Sequence, residues 1–281
     1  MRKWNKIFID RSDKITKINK IRDFYDFVEE SGGYNSNAYY KNKNSFFEFY
    51  LTKRYLIWDE YLKKNLNPNI KTLSIASGRG INELSLISNN FNITCSDMEI
   101  PIWHEEQKKL FGNFNYINFN ILTDTINEEF DSIYSLSAFY IFSYSELEKI
   151  FSKINKILKK DGIFILDFGG PEDNLISFFF HEIYLTVETY LIYYLSKLLN
   201  KKIGLKFDHN FGYRWKNKEI ISLASKFGFK LIHINEYDYL TELQRSTLLN
   251  KSIKYFSFSK KKIEFLGKKI PYIRMFKFKK M

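Results

Sequence analysis

The chain has 281 residues, of which 44% are hydrophobic, and a formal net charge of +12. This composition excludes an intrinsically disordered chain and is sufficient for one large core. The single cysteine, Cys95, excludes an internal disulfide, and the Cys and His spacing predicts no metal site. Because the first residues lack the apolar segment and cleavage site of a signal peptide, we expect a cytoplasmic protein.

The positive charge favours anionic partners, which include nucleic acids and anionic membrane surfaces. The basic residues are mostly lysines, and the arginines are scattered along the sequence rather than clustered. Proteins that bind the phosphates of nucleic acids usually concentrate lysines and arginines on one face. We therefore do not expect a nucleic-acid partner.

Residues 1–69 are predicted to form a helical N-terminal extension. Its clearest part is residues 45–66, where apolar side chains recur at helical spacing. The sequence Asn-Pro-Asn at 67–69 then ends this part of the chain.

From residue 70 the pattern changes to alternating strands and helices. Residues 163–169, IFILDFG, form an unbroken apolar run that is typical of a strand inside a parallel sheet. Such alternation predicts right-handed crossovers and a doubly wound, mostly parallel sheet. The strands are expected at 71–76, 91–97, 115–121, 130–139, 163–169, 230–240 and 271–278, and the helices at 81–90, 102–112, 145–162 and 216–229.

Residues 172–210 interrupt this pattern and are predicted to be a helical cap insertion. The apolar part, 174–200, is long enough to cross a membrane, but it contains four residues that are costly in hydrocarbon. These are His181, Glu182, Glu188 and Lys197. We therefore expect no transmembrane segment. Two interpretations of this segment remain. It is either a buried or partner-facing helix, compatible with a homodimer, or an aromatic cover over an apolar or lipid-linked substrate.

Residues 73–83 read LSIASGRGINE, so that a strand ends in two closely spaced glycines and a helix follows. A strand, a glycine turn and a helix N-terminus form a cradle for anionic ligands at the carboxyl edge of a sheet. Asp97, at the end of the next predicted strand, stands 19 residues after Gly78, where an acidic residue holds ribose hydroxyls. Glu83 occupies the place of the third glycine of dinucleotide binders, and the lysine of a P-loop does not follow.

The segments TLSIASGRG, ITCSDM, FNIL, FDSIYSLSAFYIF and INKILKKDGIFILDF resemble the successive motifs of class I S-adenosylmethionine-dependent methyltransferases. The resemblance spans roughly residues 70–170, with weaker support through 211–238. It implies a seven-stranded Rossmann-like sheet, a methyltransferase domain over 70–281 and S-adenosyl-L-methionine as the cofactor.

The resemblance also implies a role for each matching position. The methionine and ribose end of the cofactor would lie against Ala76, Ser77, Gly78 and Gly80. Asp97 would bind the ribose hydroxyls, Met98 would pack on adenine, and Asn120 and Ile121 would flank adenine. Ser137 would face the sulfonium and the substrate.

The sequence departs from the family pattern at several of these positions. Ser74 stands where an acidic residue is usual, and Ala76 replaces the first glycine. Asn120 replaces an acidic residue, and Ile141 stands where a histidine is common. These departures leave a catalytically silent partner protein with the same fold as an alternative.

Methyl transfer is an in-line displacement, and a hydroxyl acceptor also needs a base with a pKa near neutrality. The candidates for this role are His209, His181 and Tyr140, with His209 favoured because it is predicted in a loop above the substrate. Further pocket candidates are Asp208, Tyr213 and Arg214. Arg214 would hold an acidic substrate or be an exposed charge.

The sequence after the fourth strand lacks the Pro-Pro-aromatic motif typical of methyltransferases acting on exocyclic amino groups of nucleic-acid bases. Cys95 lies in the second strand, away from the place of a cysteine nucleophile that methylates cytosine. We therefore expect O-methylation of a small molecule, such as a sugar or glycan precursor. An RNA methyltransferase that uses the positive charge is the alternative.

Overall fold

The computed structural model describes residues 1–10, 42–50, 54–101, 104–201, 203–237, 246, 248–249, 265 and 268–281. Its strands, numbered in chain order, are β1 (Arg2–Asp10), β2 (Thr72–Ile75), β3 (Ile93–Asp97), β4 (Asn115–Asn118), β5 (Phe130–Leu136), β6 (Leu158–Asp167), β7 (Gly204–Arg214), β8 (Phe229–Tyr237) and β9 (Ile273–Lys280). The helices are α1 (Lys43–Tyr50), α2 (Arg54–Asn65), α3 (Ile81–Ser88), α4 (His104–Phe111), α5 (Tyr144–Ile157), α6 (Leu175–Leu198) and α7 (Asn217–Lys226).

Seven of these strands form one sheet in the order β4-β3-β2-β5-β6-β9-β8. The five strands from β4 to β6 are parallel, whereas β9 runs antiparallel to both of its neighbours. The strand order reverses between β2 and β5, and ligands bind at such a switch point, beyond the carboxyl ends of the strands. The predicted doubly wound, mostly parallel seven-stranded sheet is confirmed.

Helix α5 shows how the local sequence builds these layers. It begins at a capping box, in which the Ser143 hydroxyl accepts from the Glu146 amide and the Glu146 carboxylate accepts from the Ser143 amide. Its apolar stripe, with Leu147, Phe151 and Ile154, is buried in the core cluster that covers one face of the sheet. This helix and its buried face agree with the periodicity of residues 145–162.

The N-terminal extension differs from the sequence prediction. Residues Arg2–Asp10 are a strand rather than part of a helix, and β1 pairs antiparallel with β7 in a separate two-stranded ribbon. The predicted helices are found in α1 and α2, while residues 11–41 and 51–53 lie outside the described residues. The boundary at residues 69 and 70 stays a prediction.

The predicted cap insertion is also only partly helical. Helix α6 contains a π-helical turn over Phe179–Tyr184, and the chain then continues as β7. The expectation of a loop around residue 209 is therefore wrong, because these residues pair with β1. Helix α6 packs beside β1, so the insertion and the N-terminal strand form one layer.

Candidate cofactor and substrate site

The carboxyl end of β2 turns sharply into α3 through three left-handed residues. These are Ala76, Gly78 and Gly80, with φ angles of 57°, 55° and 68°. The left-handed region costs about 1–2 kcal/mol for a residue with a Cβ, so Ala76 is strained. Ser137, at the end of the neighbouring strand β5, is also left-handed, with a φ of 52°. Strained residues of this kind cluster at ligand sites.

Asp97, at the end of β3, faces the glycine turn. Its Oδ2 accepts from the Gly78 amide at 2.8 Å, and its Oδ1 accepts from the Met98 amide at 2.7 Å. A carboxylate has about four acceptor positions, so roughly two remain for further donors. The Ser77 hydroxyl joins the two strands by donating to the Ser74 carbonyl and accepting from the Ser96 amide. The predicted residues Ser77, Gly78, Gly80 and Asp97 are thus brought together.

Glu83, the residue in place of the third glycine, lies under this turn and is buried. Its Oε1 accepts from the Ser74 hydroxyl at 2.7 Å and from the Tyr134 hydroxyl at 3.0 Å. Burial raises the pKa of Glu83, against the effect of these hydrogen bonds. The two unusual residues, Ser74 and Glu83, therefore support each other and fix the start of α3 to β2 and β5.

We expect Tyr134→Phe to lower the free energy of unfolding by about 1–2 kcal/mol, because it removes one of the two hydroxyl donors to the buried Glu83 side chain. Urea unfolding at pH 7 measures this. The control is Tyr144→Phe, whose side chain is exposed and stacks on Trp215; its removed hydroxyl should change the stability by less than about 0.5 kcal/mol. Equal losses in both variants would contradict the role of the Glu83 contact.

The predicted adenine side lies beyond β3 and β4. Met98 is 54% exposed, and Ile121 is buried. The Asn120 side chain accepts from the Leu122 amide at 3.0 Å, which forms a local turn. The Tyr116 hydroxyl donates to the Gly78 carbonyl at 2.7 Å and joins β4 to the glycine turn. Tyr116 was not predicted as a site residue from the sequence.

The ends of β5 and β6 meet at a close backbone contact. The Ser137 amide donates to the Asp167 carbonyl, and a Cβ on Gly169 would lie 2.4 Å from the Ser137 Cα. Asp167 is fully buried, and its Oδ1 accepts from the amides of Gly169 and Arg274. Burial raises the pKa of Asp167 to about 6, although the charges of Arg54 and Arg274 and the two amides act in the other direction. Asp167 was not predicted as a site residue from the sequence.

An aromatic cluster covers the ends of β5 and β6. The buried Trp4 of β1 makes edge contacts with Tyr140, Phe211 and Tyr272. Tyr140 also stacks on Phe211, with 5.7 Å between the ring centroids. The β1–β7 ribbon thus packs against Tyr140, which lies between the ribbon and the sheet.

The two histidines proposed as bases are far from equivalent in the structure. His209 is exposed on β7, and its ring stacks on Phe207 with 6.2 Å between the centroids. His181 is buried in the π-helical turn of α6, with its ring centroid 5.7 Å from that of Tyr272. Since Tyr272 belongs to the aromatic cluster, His181 borders that cluster.

The other pocket candidates lie on β7. Arg214 is fully buried and not an exposed charge; it donates to the Ser177 hydroxyl and to the Glu172 carbonyl and lies 3.7 Å from Glu182. These contacts tie β7 to α6 and favour a structural role. Tyr213 is half-buried against the main core cluster, and Asp208 is half-buried on the same strand.

The strand order of the large sheet and the glycine turn at the carboxyl end of β2 define the class of fold. The chain has the fold of the class I S-adenosylmethionine-dependent methyltransferases, as the sequence resemblance implies. A structure search finds a Burkholderia thailandensis 1,6-didemethyltoxoflavin-N1-methyltransferase with bound S-adenosylhomocysteine. The two share 10% identity at a TM-score of 0.55, over 92% of this chain and 86% of that one.

Two further solved structures agree. The magnesium protoporphyrin IX methyltransferase of Synechocystis PCC 6803 is 13% identical at a TM-score of 0.51, over 93% of this chain and 100% of that one. A mycolic acid cyclopropane synthase is 14% identical at a TM-score of 0.51, over 83% and 85%. Both were crystallised with S-adenosylhomocysteine.

Similarity at the level of sequence is less informative about this chain than similarity of structure. Residues 106–184 match the Mga helix-turn-helix domain, which is less than half of the chain. In the structure this range, which is described throughout, contains β4, β5 and β6 of the large sheet. Its helices are therefore separated by strands and do not form a helix-turn-helix. No curated protein sequence matches the chain.

Proposed function

We propose that the protein is an S-adenosylmethionine-dependent methyltransferase that methylates a hydroxyl group of a small molecule, such as a sugar or glycan precursor. The observation that carries the first part is the arrangement of Asp97 against the glycine turn. The carboxylate has acceptor positions left for ribose hydroxyls, and the start of α3 offers amides to an anionic group. The residues present therefore fit this cofactor.

In this proposal Asp97 orients the ribose, while Gly78 and Gly80 let the backbone approach the amino acid end of the cofactor. Met98 and Ile121 lie on the side where adenine is expected. S-adenosylmethionine supplies a methyl group on a positively charged sulfur. The main task of the protein is then to align the acceptor with that methyl group and to exclude water.

A hydroxyl acceptor loses a proton during the transfer, so a base is required beside it. His181 and Tyr140 border the aromatic cluster, and Asp167 lies directly behind Ser137. The pKa of Asp167, about 6, lies in the range that suits a general base at neutral pH. We therefore add Asp167 to the candidates and place His209 last.

Calorimetric titration with S-adenosylhomocysteine tests the cofactor site. We expect Asp97→Asn to raise the dissociation constant about 10- to 100-fold, because charge-assisted bonds to the ribose hydroxyls are weakened. The matched control is Asp161→Asn, an exposed carboxylate at the opposite edge of the sheet, which should leave the affinity unchanged. Equal affinities of the wild type and Asp97→Asn would contradict the site. If the wild type itself binds nothing at millimolar concentration, the catalytically silent alternative holds.

A second experiment tests the acceptor. Purified protein with methyl-labelled cofactor is incubated with sugar nucleotides and glycan precursors, and in parallel with tRNA and rRNA. Label in the sugars supports the proposal, while label in RNA alone replaces it with the RNA methyltransferase that the charge of +12 suggests. Because phosphate contacts make RNA binding fall steeply with salt, a salt titration distinguishes specific transfer from electrostatic association.

A further inference from the structure

The outer face of α6 is apolar along its whole length. Side chains recur there at helical spacing and remain exposed, and at 1.5 Å per residue the row is about 33 Å long. Isolated apolar side chains are normal on a protein surface, but a contiguous row of this size marks an interaction site. The row consists of Ile176, Phe179, Ile183, Val187, Leu191, Tyr194, Leu195 and Leu198.

The acidic residues of this helix are turned away from the row. Glu182 faces the buried Arg214, and Glu188 is itself buried, where its Oε1 accepts from the Leu248 amide at 2.8 Å. Apart from the buried His181 and these two glutamates, the only titratable acidic or basic side chain among the Asp, Glu, Lys, Arg and His residues of the helix is Lys197, near its carboxyl end. The exposed row therefore runs for most of its length without a charge.

By length and composition, Leu175–Leu198 could cross a membrane, and 22% of its most apolar stretch of 18 residues is buried in the protein. Its inner side, however, is fixed to the rest of the molecule. Besides the contacts of the two glutamates, the Asn174 side chain caps its first turn, and Tyr184 is hydrogen bonded to Ser246. A helix held in this way by one side can lie on a bilayer but cannot be surrounded by lipid.

We infer that the outer face of α6 is a docking surface for an anionic lipid bilayer, with the helix axis parallel to the membrane plane. Apolar side chains of such a helix enter the boundary between headgroups and acyl chains. The net charge of +12 complements an anionic surface, and the exposed Lys197 and Lys201 stand next to Leu198 and Leu199, in reach of lipid phosphates. A second copy of the chain would instead bring two charges of +12 together. This inference does not rest on the proposed methyl transfer.

Flotation with liposomes tests the inference. The full-length protein is mixed with vesicles of phosphatidylcholine alone or with one third phosphatidylglycerol, at low salt and at 0.5 M salt. We expect it to float with the anionic vesicles and to remain unbound with the neutral ones. The double variant Val187→Glu and Tyr194→Glu places two charges in the middle of the row, at positions that are each 61% exposed. It should bind the anionic vesicles at least about tenfold more weakly.

The control is Ile232→Glu in β8, which changes an exposed apolar residue outside α6 by one charge. It should bind like the wild type, and circular dichroism shows whether each variant is folded. Equal vesicle binding of the double variant and the control would overturn the inference, because charge alone would then explain the association. It is also overturned if the wild type does not float with the anionic vesicles. If sedimentation then shows a dimer that the double variant dissociates, the occupant of this face is a second copy.

Discussion

Gly169→Ala is expected to lower the free energy of unfolding by about 3–5 kcal/mol, because the left-handed backbone and the lack of space both oppose a Cβ. The φ of Gly169 is 63°, and an added Cβ would lie 2.4 Å from the Cα and 2.5 Å from the Oγ of Ser137. The first of these neighbours is backbone, so it cannot move aside as a flexible side chain would. The loss is a large part of the 5–15 kcal/mol that stabilises an ordinary domain.

Urea unfolding measures this loss, and Gly112→Ala is the matched control. Gly112 has a φ of 82°, but no atom lies within 4 Å of the Cβ that would be added. The control should therefore lose only the cost of the left-handed backbone, about 1–2 kcal/mol. If the two variants lost the same free energy, the close contact between the ends of β5 and β6 would not be present in solution.

The large sheet was predictable because each of its elements carries a local signal. The apolar run at 163–169 and the stripe of α5 are continuous in the sequence, and each is bounded by a turn residue. Strand β1 has no comparable signal, since its partner β7 lies about two hundred residues away and Trp4 pairs with Gly212. Pairing at such a distance depends on tertiary packing rather than on local propensity.

The same distinction applies to the site. Asp97 and the glycine turn are recognised because their spacing follows from one strand-turn-helix unit and the next strand. The contact of Glu83 with Tyr134 spans 51 residues, and that of Asp167 with Arg274 spans 107 residues. Neither can be deduced from spacing. The loop expected around His209 was wrong for a related reason, because the N-terminal strand pairs with β7 there.

The pH dependence of stability should reveal Asp167. Its pKa is raised to about 6 in the folded protein, from an ordinary value of 3.8. The folded state therefore favours the protonated form of Asp167. Relative to the ionised form, protonated Asp167 makes its full contribution to stability below about pH 4, and this contribution is lost as the pH rises to about 6. Above pH 6 the buried carboxylate costs about 3 kcal/mol, since each pKa unit corresponds to 1.36 kcal/mol.

We therefore expect Asp167→Asn to be more stable than the wild type by about 3 kcal/mol at pH 7.5 and by little at pH 4.5. The asparagine carbonyl can still accept from the amides of Gly169 and Arg274, and its second polar atom takes the place of Oδ2, for which the described residues provide no hydrogen bond. Urea unfolding at pH 4.5, 5.5, 6.5 and 7.5 measures both proteins.

Asp161→Asn serves again as the control, with the opposite sign. The Asp161 carboxylate is exposed and pairs with Lys279, which lowers its pKa, so we expect no comparable gain in stability from its replacement at pH 7.5. A constant difference between Asp167→Asn and the wild type at all four pH values would show that Asp167 does not titrate in this range. If Asp167 is the base for methyl transfer, the stabilised variant also loses activity, because the asparagine amide cannot take up the proton of the acceptor hydroxyl.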